Sequence, residues 1–93
     1  MIKTIIYFHG FASSSDSNKA KIFKKYFSSL KNNIELIVPD LNNNFKEAII
    51  QIKQIIKSNQ KPIAFMGSSL GGYYAAYFSS KYNSKAVLIN PAI

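Results

Sequence analysis

Cysteine is absent from this 93-residue chain, which removes any disulfide framework and any thiolate metal site. That usage fits a cytoplasmic protein. Arginine is absent as well: all twelve basic residues are lysine, set against only four acids, and the formal net charge is +8. Such a balance invites a nucleic-acid or anionic-membrane partner. Arginine, however, is the residue preferred for bidentate phosphate and guanine contacts, and the lysines are scattered along the chain. They read as solvated helix faces, and no nucleic-acid partner is expected. No apolar run approaches the roughly 18 to 20 residues of a membrane span. The apolar part of MIKTIIYFHG is also too short for a signal-peptide core. One histidine and four dispersed acids form no ligand cluster, so neither a metal nor a cofactor is expected. One further absence bears on chemistry: no Asp, Glu or His follows residue 69.

What remains is the composition of one small globular domain, 47% hydrophobic and 14% aromatic. Residues 3–8, KTIIYF, read as a strand ending at His9-Gly10. After the polar loop FASSSDSN, apolar positions Ala20, Ile22, Phe23, Tyr26, Phe27 and Leu30 recur on one helical face from Asn18 to Leu30, with Lys21, Lys24, Lys25 and Ser28 opposite. Residues 34–38, IELIV, form a second strand closed by Pro39-Asp40. Asn44 and Glu47 have capping-box spacing. Phe45, Ile49, Ile52 and Ile56 then mark the inner face of a second helix, with Lys46, Lys53 and Lys57 facing away. IAFM (63–66) is a third strand, GSSLGG a loop, about Leu70 to Tyr82 a third helix, and KAVLI (85–89) a fourth strand. This β-α-β-α-β-α-β order predicts an α/β fold: a parallel sheet with right-handed crossovers and helices on both faces. Ligands in such sheets bind at the carboxyl ends of the strands, beside a switch in strand order. The loops leaving strands one and three, HGFASSS and GSSLGG, are therefore the place to look for chemistry.

Gly67-Ser68-Ser69-Leu70-Gly71 fits the G-x-S-x-G nucleophile elbow. The elbow holds a serine on a very tight strand-to-helix turn, where only small residues fit two positions before and two after it. Gly67 and Gly71 satisfy that demand around Ser69, and Gly72 lets the helix lie close on the sheet. The helix N-terminus points unpaired N–H groups toward the serine, and the Leu70 amide is placed to stabilise an oxyanion. A plain βα turn with glycines for packing, and an anion cradle, fit the same five residues; the second lacks the lysine of a phosphate-binding loop. His9-Gly10-Phe11 offers the second oxyanion donor, with Gly10 turning the backbone inward so that the Phe11 amide faces the site. His9 is expected to hold this loop by hydrogen bonds rather than to act as the base.

YFHGFASS, SNKA, the Pro-Asp after strand two, GSSLGGYYAAY and INPAI together resemble the bacterial YqiA-type esterases of the α/β-hydrolase superfamily. The resemblance runs from Met1 to Ile93 and covers the N-terminal half of such a protein. It implies a serine esterase acting on carboxylic esters or acyl thioesters, with Ser69 as nucleophile and Phe11 and Leu70 in the oxyanion region. It also implies a sheet of strand order 2-1-3-4, placing strands one and three side by side.

In that superfamily the triad runs Ser, then Asp or Glu, then His. The acids here, Asp16, Glu35, Asp40 and Glu47, all precede Ser69. The expectation is therefore a fragment, nearly inactive alone, whose apolar fourth strand lacks a covering helix and an outer partner. Two other readings stay open: a non-catalytic anion- or acyl-binding α/β domain, and a basic surface for nucleic acid or anionic membrane.

Overall fold

Short runs rich in Ile, Val, Phe and Tyr alternate with longer lysine-bearing helical stretches, and the fold follows that alternation. The computed structural model describes residues 2–9, 18–29, 34–69 and 71–91. Its elements are β1 (Thr4–Phe8), α1 (Asn18–Ser29), β2 (Glu35–Ile37), α2 (Phe45–Ser58), β3 (Ile63–Ser69), α3 (Gly71–Lys81) and β4 (Ala86–Pro91). The four strands form one sheet in the order β2-β1-β3-β4, and every pairing is parallel. Both the α/β class and the expected 2-1-3-4 order are observed.

Alternation along the strands divides the core. Ile6 and Phe8 of β1, with Ile63 and Phe65 of β3, face α2 and α3 and pack on Ile52, Ile56, Ala75 and Phe78. Phe8, Phe65 and Phe78 form a three-ring group with centroids 6.0 to 6.3 Å apart. On the opposite face Tyr7 and Met66 meet Phe23 and Phe27 of α1. One helix thus covers one face and two cover the other.

The ends of the helices follow local chemistry. Asn44 caps α2, its side-chain oxygen accepting from Glu47 N–H at 3.1 Å. The reciprocal arm of a capping box is taken instead by Asn42, whose Oδ1 accepts from Asn44 N–H at 2.8 Å. At the end of α3, Asn83 adopts a left-handed φ of 51°. Ser84 N–H reaches Ser79 C=O and Asn83 N–H reaches Ser80 C=O, the Schellman pattern.

Several sequence expectations need correction. Ile22 and Tyr26 do not face the sheet: they are 65% and 57% exposed. Among the described side chains of α1, Phe23 and Phe27 pack on the sheet, and Ile22 and Tyr26, about 100° around the helix from them, fall outside that stripe. Phe45 is likewise 64% exposed, its ring stacked on Tyr74 rather than packed in the core. β3 runs three residues past Met66, since Gly67, Ser68 and Ser69 still pair with β4. β4 in turn continues through Asn90 to Pro91. As an edge strand β4 leaves Val87 and Leu88 exposed. Leu30 lies outside the described residues.

Candidate active site

The strand order creates one switch point. From β1 the chain crosses to β2 on one side, and from β3 it crosses to β4 on the other, so the carboxyl ends of β1 and β3 flank a crevice. Of the candidate site residues, His9 follows the last residue of β1 and Ser69 is the last residue of β3, so both stand at that crevice.

Glycine is required here for steric reasons. A Cβ on Gly67 would lie 2.6 Å from the Gly71 carbonyl carbon and 2.8 Å from Gly72 Cα, and closer still to the Gly71 carbonyl oxygen. A Cβ on Gly71 would lie 2.7 Å from both the His9 carbonyl oxygen and the Phe8 carbonyl carbon, and closer again to the Phe8 carbonyl oxygen. Every one of these neighbours is backbone and cannot rotate away. The first residue of α3 is therefore pressed against the end of β1, and Gly67 against the first turn of α3. A single residue separates the last residue of β3, Ser69, from the first of α3, Gly71. Gly72 is buried beside Gly71. The register with β4 shifts between Ser68 and Ser69, so Ser69, which pairs with Pro91, stands just past the regular ladder.

The two serines differ. Ser68 is 5% exposed, and its Oγ shares a 2.7 Å hydrogen bond with the hydroxyl of the fully buried Tyr7. That hydroxyl is committed inside the α1 face and is not available as a nucleophile. Sequence inspection did not single out Tyr7, because the pairing emerges only once the register sets Tyr7 opposite Met66, two residues before Ser68.

His9 is half-buried, and its Nε2 accepts a hydrogen bond from Leu41 N–H at 3.3 Å. An accepting Nε2 carries its lone pair toward the β2–α2 connection, and the ring ties that connection to the end of β1. Gln51 holds the same connection from α2: its Nε2 donates to Asp40 C=O at 2.7 Å and its Oε1 accepts from Asn42 N–H at 3.0 Å. The Gln51 clamp also escaped the sequence reading. Its only signal was a polar residue on the face of α2 that looks back at its own N-terminal loop.

Above this floor, Tyr74 in the first turn of α3 contacts Phe8 at 5.9 Å and stacks on Phe45 at 5.8 Å between centroids. Burial among these rings raises the Tyr74 pKa above the ordinary phenol value of 10.0. Of the acids, Asp40 is exposed at the carboxyl end of β2, Glu35 is exposed at the start of β2, and Glu47 is exposed in the first turn of α2. None adjoins Ser69 in sequence or strand pairing. Gly10, Phe11, Asp16 and Leu70 lie outside the described residues, and among the described residues no group of three or more His, Cys, Asp or Glu side chains could hold a metal ion. No described helix is long and apolar enough to cross a membrane.

A strand, a one-residue turn and a helix are thus locked to the neighbouring strand by two glycines. Residues 4–93 match the uncharacterised protein family UPF0227. The chain belongs to that family. The match to UPF0227 begins at the first residue of β1 and takes in every strand and helix described above.

Proposed function

We propose that the chain carries the nucleophile half of a serine hydrolase site acting on carboxylic esters or acyl thioesters. The observation that carries this reading is the backbone contact of Gly67 with Gly71-Gly72 and of Gly71 with Phe8-His9. An ordinary βα turn needs no such approach, whereas a nucleophile elbow does. The resemblance to the YqiA-type esterases and membership of UPF0227 support it.

In this reading Ser69 Oγ attacks the substrate carbonyl carbon and the carbonyl oxygen takes up the negative charge. The Leu70 amide at the head of α3 and the Phe11 amide of the β1–α1 loop stabilise that oxyanion. The serine proton passes to a base, which returns it to the leaving oxygen or sulfur as the tetrahedral centre collapses and the alcohol or thiol departs. Water, giving a proton to the same base, then attacks the acyl carbon, and the carboxylic acid leaves as Ser69 regains its proton. His9, engaged with Leu41, serves as loop support, as do Gly10 and Gly72. No Asp, Glu or His follows Ser69 in the 93 residues. A serine hydroxyl without a base is a weak nucleophile, and losing one triad member removes several powers of ten in rate. Turnover by residues 1–93 alone is therefore expected to be slow.

The test is covalent. A fluorophosphonate probe, applied over hours and mapped by mass spectrometry, is expected to mark Ser69, to leave Ser69→Ala unmarked and still to mark Ser68→Ala. Equal labelling of the Ser69→Ala variant, or of none of the three proteins, overturns the assignment.

A further inference from the structure

The outward face of α1 carries an unexpected pairing of chemistries. Ile22 and Tyr26, one helical turn apart, are 65% and 57% exposed. Lys21 and Lys25, also one turn apart and both exposed, run alongside them. The α1 sequence NKAKIFKKYFSS holds four lysines and no acid. Among the described side chains of α1, Phe23 and Phe27 pack on the sheet. Among the described helices α1 is the one on its face of the sheet, so its outer surface is not shared with the α2–α3 core.

We propose that this face of α1 docks on an anionic lipid surface. The Lys21 and Lys25 ammonium groups meet the headgroup charges, while Ile22 and the Tyr26 ring enter the boundary between headgroups and acyl chains. Charge complementarity argues for this occupant: a chain of net charge +8 presents an acid-free basic helix, and basic side chains beside exposed apolar ones are what an interfacial helix needs. A nucleic acid fits less well. Ile22 offers neither a stacking face nor a hydrogen-bond donor, and the chain has no arginine to fork onto phosphate. The inference is independent of the ester-hydrolase reading and stands or falls without it.

Co-sedimentation with vesicles tests it, using phosphatidylcholine alone and phosphatidylcholine mixed with phosphatidylserine. Binding is expected to the mixed vesicles only, and to be released on raising the salt from about 0.1 M to about 0.5 M. Lys21→Glu with Lys25→Glu is expected to weaken binding by at least about tenfold. Ile22→Ser with Tyr26→Ser, which leaves the charge unchanged, should weaken it by about tenfold. Lys46→Glu with Lys53→Glu makes the same charge change on exposed positions of α2, across the sheet, and is expected to matter much less. Circular dichroism spectra matching the parent establish that each variant is folded. Absent binding, equal binding to both vesicles, or equal losses from the two lysine pairs overturns the proposal. Binding to polyuridylate that ignores Ile22→Ser and Tyr26→Ser, with no vesicle binding, assigns the lysines to nucleic acid instead.

Discussion

The hydroxyls of Tyr7 and Ser68 lie 2.7 Å apart inside the α1 face of the sheet, tying β1 to β3 directly beneath the switch-point crevice. Neither residue reaches solvent to any useful degree. The bond therefore fixes how the ends of these two strands sit relative to one another, and with them His9 and Ser69. Removing only one partner leaves a buried hydroxyl unsatisfied, which costs more than the bond contributes net.

That asymmetry is measurable. Tyr7→Phe and Ser68→Ala are each expected to lower unfolding free energy by about 1–2 kcal/mol, and the double variant to lie well short of the sum. Urea denaturation of the four proteins in a double-mutant cycle reads this directly. Strict additivity would show that the two hydroxyls do not interact.

The glycines give a sharper steric prediction. Gly71→Ala must move α3 away from the Phe8 and His9 carbonyls, and Gly67→Ala must move it away from β3. Because backbone is displaced rather than a side chain, each change is expected to destabilise by about 3 kcal/mol or more, the upper end for overpacking. Both should also slow fluorophosphonate labelling of Ser69. A variant with parental stability and labelling would mean that the turn does not need its glycines.

His9 can be separated from catalysis by its partner. His9→Ala removes the acceptor for Leu41 N–H, so hydrogen exchange at the Leu41 amide should accelerate, with a stability loss of about 1 kcal/mol. His9→Gln keeps a side-chain acceptor and is expected to retain labelling of Ser69 within a few-fold. Abolition of labelling by His9→Gln would instead identify His9 as the base.

The architecture was legible because each strand is a short β-rich run and each helix a periodic one, and a parallel sheet follows from their alternation; its 2-1-3-4 order came from the family resemblance, not from the pattern. The capping role of Asn44 was equally plain, being written in its three-residue spacing to Glu47. What sequence could not supply was contact geometry. Ile22 and Tyr26 carry the right period for a buried face, yet the described contact of this helix with the sheet is made by Phe23 and Phe27. Phe45 has the period of Ile49 and Ile52 but stacks on Tyr74 rather than packing in the core. The Tyr7–Ser68 bond depends on strand register, which no local pattern encodes. At the site, the glycine spacing around Ser69 was visible in sequence, whereas the contact of Gly71 with β1 required the assembled sheet.

Tyr74 provides a pH-dependent signature. Burial beside Phe8 and Phe45 raises its pKa, so the folded state holds the phenol proton to higher pH than the unfolded chain does. Its contribution is complete below pH 10.0 and is lost as pH rises through the folded-state value. Stability should therefore fall more steeply above pH 10.0 in the parent than in Tyr74→Phe, as followed by urea midpoints across alkaline pH. Parallel curves would show that Tyr74 titrates alike in both states.

A last prediction concerns rate. If Ser69 is held at an elbow with oxyanion donors in place, its hydroxyl needs a group to take its proton, and within the 93 residues no Asp, Glu or His follows it. Free imidazole in the buffer can supply that function. Hydrolysis of p-nitrophenyl acetate by the 93-residue chain should then rise with imidazole concentration beyond the rise seen for imidazole alone. The excess should vanish in Ser69→Ala and persist in Ser68→Ala, whose mutated hydroxyl belongs to Tyr7. It should also shrink in Gly71→Ala, where the turn is displaced. An imidazole response identical in the parent and Ser69→Ala would place the chemistry elsewhere, because a general base in solution cannot distinguish the two proteins unless Ser69 is the group it activates.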